Sequence, residues 1–544
     1  MTEPAKGLPM TAKWDPEKLA QEVAALEDLE SRPFLERAKG YVRRSGPGLL
    51  QSAMTLGAGS AAASVIAGAS FGYDLLWVQP VAMLLGVCML AALGNVVLTT
   101  GERPYRSVSR EIHVAIAFLW ALGTIVASVI WHFPQYGLAA GAARDLATMA
   151  GVVVETEGGS LTAHGLMVSI GIGLAILSLN IFTTWNYGSH AWGIKLYEWF
   201  LRGLIALVIL SFGIVVVSTG VRWGDLLRGF FAFRVPEAPG AVTVVLGAIG
   251  AAVGINMTFL YPYSLLAKGW GKAHKKAARW DLGLSMFLPF VLVTSLVIIA
   301  MANTINDPSL PQAIQKDLKP VEAAQALTGV MGSFWGRLIF DLGFIAMTCG
   351  AISAHMVVCG FTVCEMFGLE YTVARYRTFT LVPAIGILGV ATTTPMWLPV
   401  AASAICLTML PIAYITFFVM NNKRSYLGAA VGHGWKRAVF NAILLAAIAL
   451  ATIGAAIKIK GGVIDKVGQW MGKPKPAATA PGPERPQARR GLPSPAGMSD
   501  RRPRPGYRGR PATDWPEGPP GTAAPWAGTD PISGAAPTAE SRSA

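Results

Sequence analysis

The chain is 544 residues long, 53% of it apolar and only 14% charged, against about 25% charged in a soluble domain. Its mean hydropathy of +0.47 would put more apolar surface in water than a soluble fold tolerates, which excludes soluble enzymes, nucleic-acid binders and disordered proteins as readings of the whole chain. The net charge of +14 lies in short joints between apolar stretches and in the tail, a pattern of membrane topology rather than of a nucleic-acid-binding face.

Residues 1–45 are polar and charged, with no cleavable signal peptide in view. From Asp15 to Lys39, Leu19, Val23, Leu26, Leu29, Phe34 and Leu35 recur at near-helical spacing among charges. That spacing predicts an amphipathic helix on the membrane surface, with a plain solvated arm as the alternative. Residues 46–458 form the expected transmembrane domain. Its apolar stretches of 18 or more residues read as spans near 47–72, 77–99, 113–141, 164–184, 200–219, 241–267, 283–303, 332–360, 376–394, 397–420 and 438–458. An inside amino terminus collects Arg103, Arg106, Arg110, Lys195, Arg202, Lys268, Lys272, Lys275, Lys276, Arg279, Arg375, Arg377, Lys423, Arg424, Lys436 and Arg437 on the inner side. Such an excess of Lys and Arg marks the cytoplasmic face and predicts a cell (inner) membrane protein with its carboxyl terminus outside. Residues 472–544, rich in Pro, Gly, Ala and Arg, have too little apolar surface to offset ordering entropy and are expected to be disordered. Cys88, Cys349, Cys359, Cys364 and Cys406 all fall inside apolar segments, which predicts inert buried thiols.

Two spans are interrupted by glycine. The first carries Gly46-Pro47-Gly48 and then Thr55-Leu56-Gly57-Ala58-Gly59-Ser60. The sixth carries Gly247, Gly250 and Gly254-Ile255-Asn256, ahead of Tyr261-Pro262-Tyr263. Broken helices at matching places in two halves indicate an inverted-repeat secondary transporter, with its site where unwound backbone meets at the midplane. Close packing of glycine-rich helices is the reading that needs no ligand.

The flanking residues add a family resemblance. Gly46-Pro47-Gly48 through Gly68-Ala69-Ser70-Phe71-Gly72-Tyr73-Asp74-Leu75-Leu76-Trp77-Val78 resembles the first helix of the Nramp family of metal-ion transporters, without a gap. Thr100-Gly101-Glu102-Arg103 resembles that family's turn after helix two. Gly343-Phe344-Ile345-Ala346-Met347-Thr348-Cys349-Gly350, with Gly360 and Glu365, is similar to its eighth helix. Leu410-Pro411-Ile412-Ala413, ahead of Asn421-Asn422-Lys423-Arg424 and Gly428, is similar to its tenth. The resemblance implies an all-α membrane protein of the LeuT type. About eleven helices, an inverted 5+5 repeat and broken helices 1 and 6 would carry a cation by alternating access.

The resemblance also exposes departures. The family's Asp-Pro-Gly-Asn motif falls on Gly57-Ala58-Gly59-Ser60, so the aspartate position is Gly57 and the asparagine position Ser60. Its Met-Pro-His motif falls on Gly254, Ile255 and Asn256, and a tenth-helix glutamine falls on Ser403. In place of the family's proton-handling carboxylates of helix three stands Trp131-His132-Phe133-Pro134-Gln135. The expected donors are the Ser60 and Ser403 hydroxyls, the Asn256 carbonyl and free backbone carbonyls. A neutral oxygen cage of this kind suits a largely hydrated Mg²⁺ better than Mn²⁺ or Fe²⁺, because Mg²⁺ keeps several waters. The side chains lost at Gly57 and Gly254 predict a roomier pocket.

Three functional readings stand at this point: a divalent-cation carrier; a carrier of a carboxylate-bearing solute or metal chelate; and a sensor or scaffold on the same fold that no longer transports. The second rests on Gly57-Ala58-Gly59, whose backbone N–H groups at a half-helix N-terminus would receive an anion. His132, His355 and Tyr261 are candidate proton or path residues. Asp341, four residues after Arg337, is expected to pair with it. No nucleotide loop, catalytic triad or haem motif is present, so neither an enzyme nor a cofactor is expected; the partners are membrane lipid and a small transported ion or solute.

Overall fold

The computed structural model describes residues 16–152, 154, 156–157, 160–187, 191–238, 240–306 and 318–460. The tail expected to be disordered at 472–544 lies outside them. The described chain is helical apart from one pair of two-residue strands, Thr156–Glu157 and Ser160–Leu161, which run antiparallel.

Among the described residues, nine helices are long and apolar enough to cross a membrane, and a bent pair makes a tenth. The first span is that pair, Pro47–Thr55 and Ala58–Phe71, bent by 50°. The others are Val78–Thr100, Val114–Met149, Ala163–Trp185, Lys195–Thr219, Ala241–Ala267, Lys272–Thr304, Ser333–Met366, Trp397–Asn422 and Gly434–Ile459. The ninth segment expected, 376–394, has a different form. It is a helix, Val373–Thr380, followed by ten residues of 3-10 helix, Val382–Ala391.

Local signals set several of these boundaries. Val78–Thr100 ends because Gly101 takes a left-handed φ of 69° and returns its N–H to Val97 O, and Pro104 opens the next short helix, where its missing N–H costs nothing. The third span, Val114–Met149, has 36 residues, or about 54 Å at 1.5 Å per residue, well beyond the ~30 Å apolar core of a bilayer. Pro134 sits inside it, and there the 3-10 segment closes in. A Cβ on Gly386 or Gly389 would run into the backbone of His132 and Phe133.

The N-terminal arm is two helices rather than one. Pro33 separates Pro16–Ser31 from Phe34–Arg44, because proline disfavours the α conformation in the residue before it. Its Tyr41 ring stacks on Trp280 at 5.2 Å, and Arg37 lies over the same indole. Phe34 and Leu35 remain 61% and 79% exposed. The arm is gripped where it enters the first span. Lys268 Nζ donates to Arg44 O (3.0 Å), Ser45 O (3.1 Å) and Glu198 Oε1 (2.9 Å), and Arg202 Nη2 donates to Ser45 O (3.2 Å). Gly48 N–H then donates to Asp281 Oδ2 at 2.6 Å.

The motifs that follow the second and eighth spans meet at the same end. Arg103 pairs with Glu365 at 3.3 Å. Glu102 accepts from Ser107, Arg110 and Tyr426, and Lys423 pairs with Glu111 at 3.0 Å. Burial alone would raise the Glu102 carboxyl, but these three hydrogen bonds outweigh it and hold it below its ordinary value. Hydrogen bonds from Arg110 and then Lys423 do the same for Glu111.

Candidate functional site

The two interrupted spans break at equivalent points. In the first, Thr55 ends one half-helix, and Gly57 (φ −95°, ψ −168°) opens the next at Ala58. In the sixth, Ala252 ends one half and Gly254 (φ −91°, ψ 169°) opens the next at Ile255. Both glycines are extended, a conformation open to any residue. The breaks are tied together by Thr55, whose Oγ1 lies 2.7 Å from Ala252 O and 3.2 Å from Ala251 O. One hydroxyl thus meets carbonyls that the sixth-span half-helix leaves free at its end.

Between the breaks is a small cavity of about 20 Å³, room for about one water. Of the residues the sequence singles out, Gly57, Gly59, Ser60, Gly254, Asn256 and His355 line it, and Thr55, Gln135, Trp131 and Met257 are among the others that do. No carboxylate is among its lining residues, and the described residues hold no cluster of three His, Cys, Asp or Glu able to bind a metal.

The remaining predicted residues stand elsewhere. Ala58 contributes its backbone, donating N–H to Gln135 Oε1 at 2.9 Å. The first donor of that half-helix, offered above to an anion, is therefore already satisfied. Ile255 turns its side chain towards Gly123 on the third span. Ser403 lies behind Gly59, its hydroxyl donating to Pro399 O at 3.0 Å. Tyr261 lines a different cavity, with Asn95 and Lys275, so it does not share the space between the breaks.

The expected roominess is overturned. A Cβ on Gly57 would come within 2.6 Å of Ala351 Cβ and 2.7 Å of Gln135 Nε2. On Gly59 it would strike the Trp131 ring and approach Ser403 Oγ to 2.7 Å. Neighbours have moved into the space that larger side chains would fill, as close packing requires. Only Gly254 is loose, since its Cβ would meet Asn256 Oδ1 at 2.9 Å and little else.

The polar groups of the cavity are mostly engaged. Ser60 Oγ donates back across the break to Thr55 O (2.5 Å), with Gly57 O also in reach (3.1 Å). Asn256 Nδ2 donates to Ser128 Oγ at 3.2 Å, and Ser128 Oγ donates to Thr124 O. Gly254 N–H points at Met257 Sδ, 3.4 Å away. Sequence reasoning did not count that thioether, although its place three residues after a break is the N3 position from which a side chain reaches back to the cap.

His132 and His355 come together with ring centroids 5.4 Å apart. His132 Nδ1 lies 2.9 Å from Ser128 O; because a carbonyl only accepts, this nitrogen carries the proton. His132 Nε2 and His355 Nδ1 are buried without a partner.

Residues 48–456 match the family model described as natural resistance-associated macrophage protein-like. The chain belongs to the Nramp family. Among curated Nramp relatives, the divalent metal cation transporter MntH of Acidiphilium cryptum (strain JF-5) is 22% identical over 427 residues, 77% of this chain and 88% of that protein. Metal transporter Nramp1 of Oryza sativa subsp. japonica is 23% identical over 441 residues, 77% of this chain and 79% of that one. A solved manganese transporter of Eremococcus coleocola superposes with a TM-score of 0.61 at 13% identity, over 80% of this chain and 88% of that chain. MhsT, solved with L-phenylalanine, superposes with a TM-score of 0.52 at 16% identity, over 75% and 98%. The Nramp chain described here thus has the LeuT-type fold.

Proposed function

We propose that this chain is a secondary transporter that moves a divalent cation across the membrane by alternating access, with the cargo passing between the two helix breaks. The observation that carries the reading is the meeting of both breaks at one small cavity lined by Ser60 and Asn256 but by no carboxylate. Family membership and the curated metal-transporting relatives support the cation class. The donor set supports Mg²⁺ over Mn²⁺ or Fe²⁺. An uncharged cage repays little of a dication's dehydration, so an ion that keeps its waters is favoured. Of the two methionines among the lining residues, Met54 and Met257, the Met257 thioether is occupied by Gly254 N–H. A partly hydrated ion needs more than the present 20 Å³, so loading has to widen the cavity. Of the two breaks, the one at Gly254 has the slack to do so. His355 would meet the cargo there, with His132 behind it.

One observation favours a second reading. Both second half-helices, starting at Ala58 and Ile255, direct their N-terminal ends to an uncharged cavity, and such ends favour an anion. A carboxylate-bearing solute or its metal chelate would use them, at the cost of displacing Gln135 from Ala58 N–H.

The protein is integral to the membrane, and we place it in the cell membrane with the amino terminus inside, on the basis of its inner-side Lys and Arg excess. The exposed Phe34 and Leu35 of the arm would then rest on the lipid surface.

The test is uptake into proteoliposomes containing the purified protein. Saturable Mg²⁺ entry that weakens in Asn256→Ala is expected. Entry only in the presence of a small carboxylate would establish the second reading, and no entry of either kind would leave a fold that does not transport.

A further inference from the structure

Away from the cavity, at the end of the bundle opposite the N-terminal arm, the third and eighth spans bury a charged cluster. The spacing of Arg337 and Asp341 predicts an ion pair one turn apart. The structure corrects this. Arg337 reaches across to the third span, its Nε 2.9 Å from Asp145 Oδ2 and its Nη2 on Asp145 Oδ1. A planar guanidinium with two donors on two carboxylate oxygens is the stronger arrangement, and it wins over a same-helix contact.

Asp341 is left in an unusual position. It is fully buried, at 0% exposure, and neither of its side-chain oxygens has a hydrogen-bond partner. Its carboxyl lies against that of Asp145, itself 3% exposed. Two carboxyls therefore abut with one guanidinium between them, and that guanidinium is spent on Asp145. The charged groups acting on Asp341 are Asp145 and Arg337. The fifth span meets this stretch with Ser211 and Phe212, and the short helices ahead of the eighth span meet it with Leu327. The neighbouring Arg144 turns away, to Ser169 Oγ, Val390 O and Thr392 O.

We propose that Asp341 and Asp145 form a proton-binding site, in which one proton is held as an Asp341 carboxylic acid donating to the Asp145 carboxylate. A bare second carboxylate here would be an uncompensated charge in an apolar interior. One proton removes the charge and supplies the missing hydrogen bond at once, which is how paired carboxylates settle when they cannot both ionise. The same single positive charge could be supplied by a metal cation, but beyond the two Asp341 oxygens it would have to share the Asp145 oxygens with the Arg337 guanidinium, whose positive charge repels it. The proton is retained while the ends of the third and eighth spans stay packed, and it leaves when their separation admits water to Asp341. In a cation carrier this makes the pair a coupling-proton site. That use rests on the transport reading, whereas the site itself does not.

The experiment is infrared difference spectroscopy on the full-length protein in lipid at neutral pH, in H₂O and D₂O. A protonated-carboxyl C=O band that shifts in D₂O and vanishes in Asp341→Asn is expected. It must vanish in Asp145→Asn as well, because Arg337 is then free to pair with an ionised Asp341. A band that survives Asp145→Asn means that burial alone keeps the proton, which overturns the shared site; should Asp341→Asn not fold, this arm decides. No band in the parent, together with thermal stabilisation by Na⁺ that is lost in Asp341→Asn, puts a metal cation there and also overturns it. For coupling, uptake driven by a pH gradient should fall to background in Asp341→Asn while cation-induced thermal stabilisation persists. Uptake in the parent that ignores the gradient overturns the coupling use alone. A parent with the band and no uptake overturns the transport reading and leaves the proton site standing.

Discussion

The two helix breaks have nearly the same backbone and very different surroundings. At Gly57 the chain bends by 50° and is held from outside. Gln135 caps Ala58, Trp131 lies on Gly59, and Ala351 faces Gly57. At Gly254 the halves still count as one 27-residue span. Thr55 and Ser128 touch the break from other spans, but no neighbouring span fills the space at Gly254 itself, where a Cβ would meet only Asn256 Oδ1 and, more distantly, Gly250 O of its own span. Sequence symmetry therefore does not make mechanical symmetry. One break is a fixed wall and the other is the adjustable side of the cavity, because contacts made by other spans resist motion and contacts within one turn move with it.

The sharpest way to break this comparison is to add a side chain to each glycine. Gly59→Val should cost about 3 kcal/mol or more, read as a large fall in melting temperature or failure to fold, because the Trp131 ring and Ser403 have nowhere to go. Gln135→Leu keeps the bulk but removes the acceptor for Ala58 N–H, and a loss of about 1–3 kcal/mol is expected in thermal unfolding. Gly254→Ala should cost less than about 1 kcal/mol, because only the end of the Asn256 side chain has to shift. A Gly254→Ala melt as damaged as that of Gly59→Val would end the distinction between wall and adjustable side.

A smaller effect is expected at the arm-side end of the bundle. The Glu111 carboxyl is held below its ordinary value by Arg110 and Lys423. A carboxyl depressed on folding contributes stability above its unfolded value, about 4.3 for glutamate, and that stability is lost as pH falls through the lower folded value. Hydrogen–deuterium exchange at residues 101–112 should therefore rise on acidification below the ordinary carboxylate range. Glu111→Gln should show the raised exchange already at neutral pH.

Much of this was legible in the chain. Hydropathy alone marks the ten spans, and the positions of Gly57 and Gly254 mark both breaks, since glycine is where a buried helix can part and let neighbours approach. Spacing along one helix failed where a partner on another span competed. Arg337 and Asp341 are correctly spaced, yet Asp145, 192 residues away, takes the arginine. Absent side chains misled in the same way: Gly57 reads as room, and Ala351 and Gln135 fill it. The sequence names His355 only as a proton or path residue and Gln135 only beside the missing helix-three carboxylates, because their approach to the cavity depends on how the third and eighth spans pack. The 3-10 segment Val382–Ala391 reads as a plain apolar span, since hydropathy does not register that Gly386 and Gly389 bind it to the backbone beside Pro134.

The central claim, an uncharged cavity between the breaks that takes a divalent cation, is most directly tested by thermal stability of the purified protein in divalent salts, each with and without a small carboxylate. The account predicts stabilisation by Mg²⁺ alone, greater than by Mn²⁺, and its loss in Asn256→Ala. Stabilisation only when the carboxylate is present, unaffected by Asn256→Ala, would contradict it.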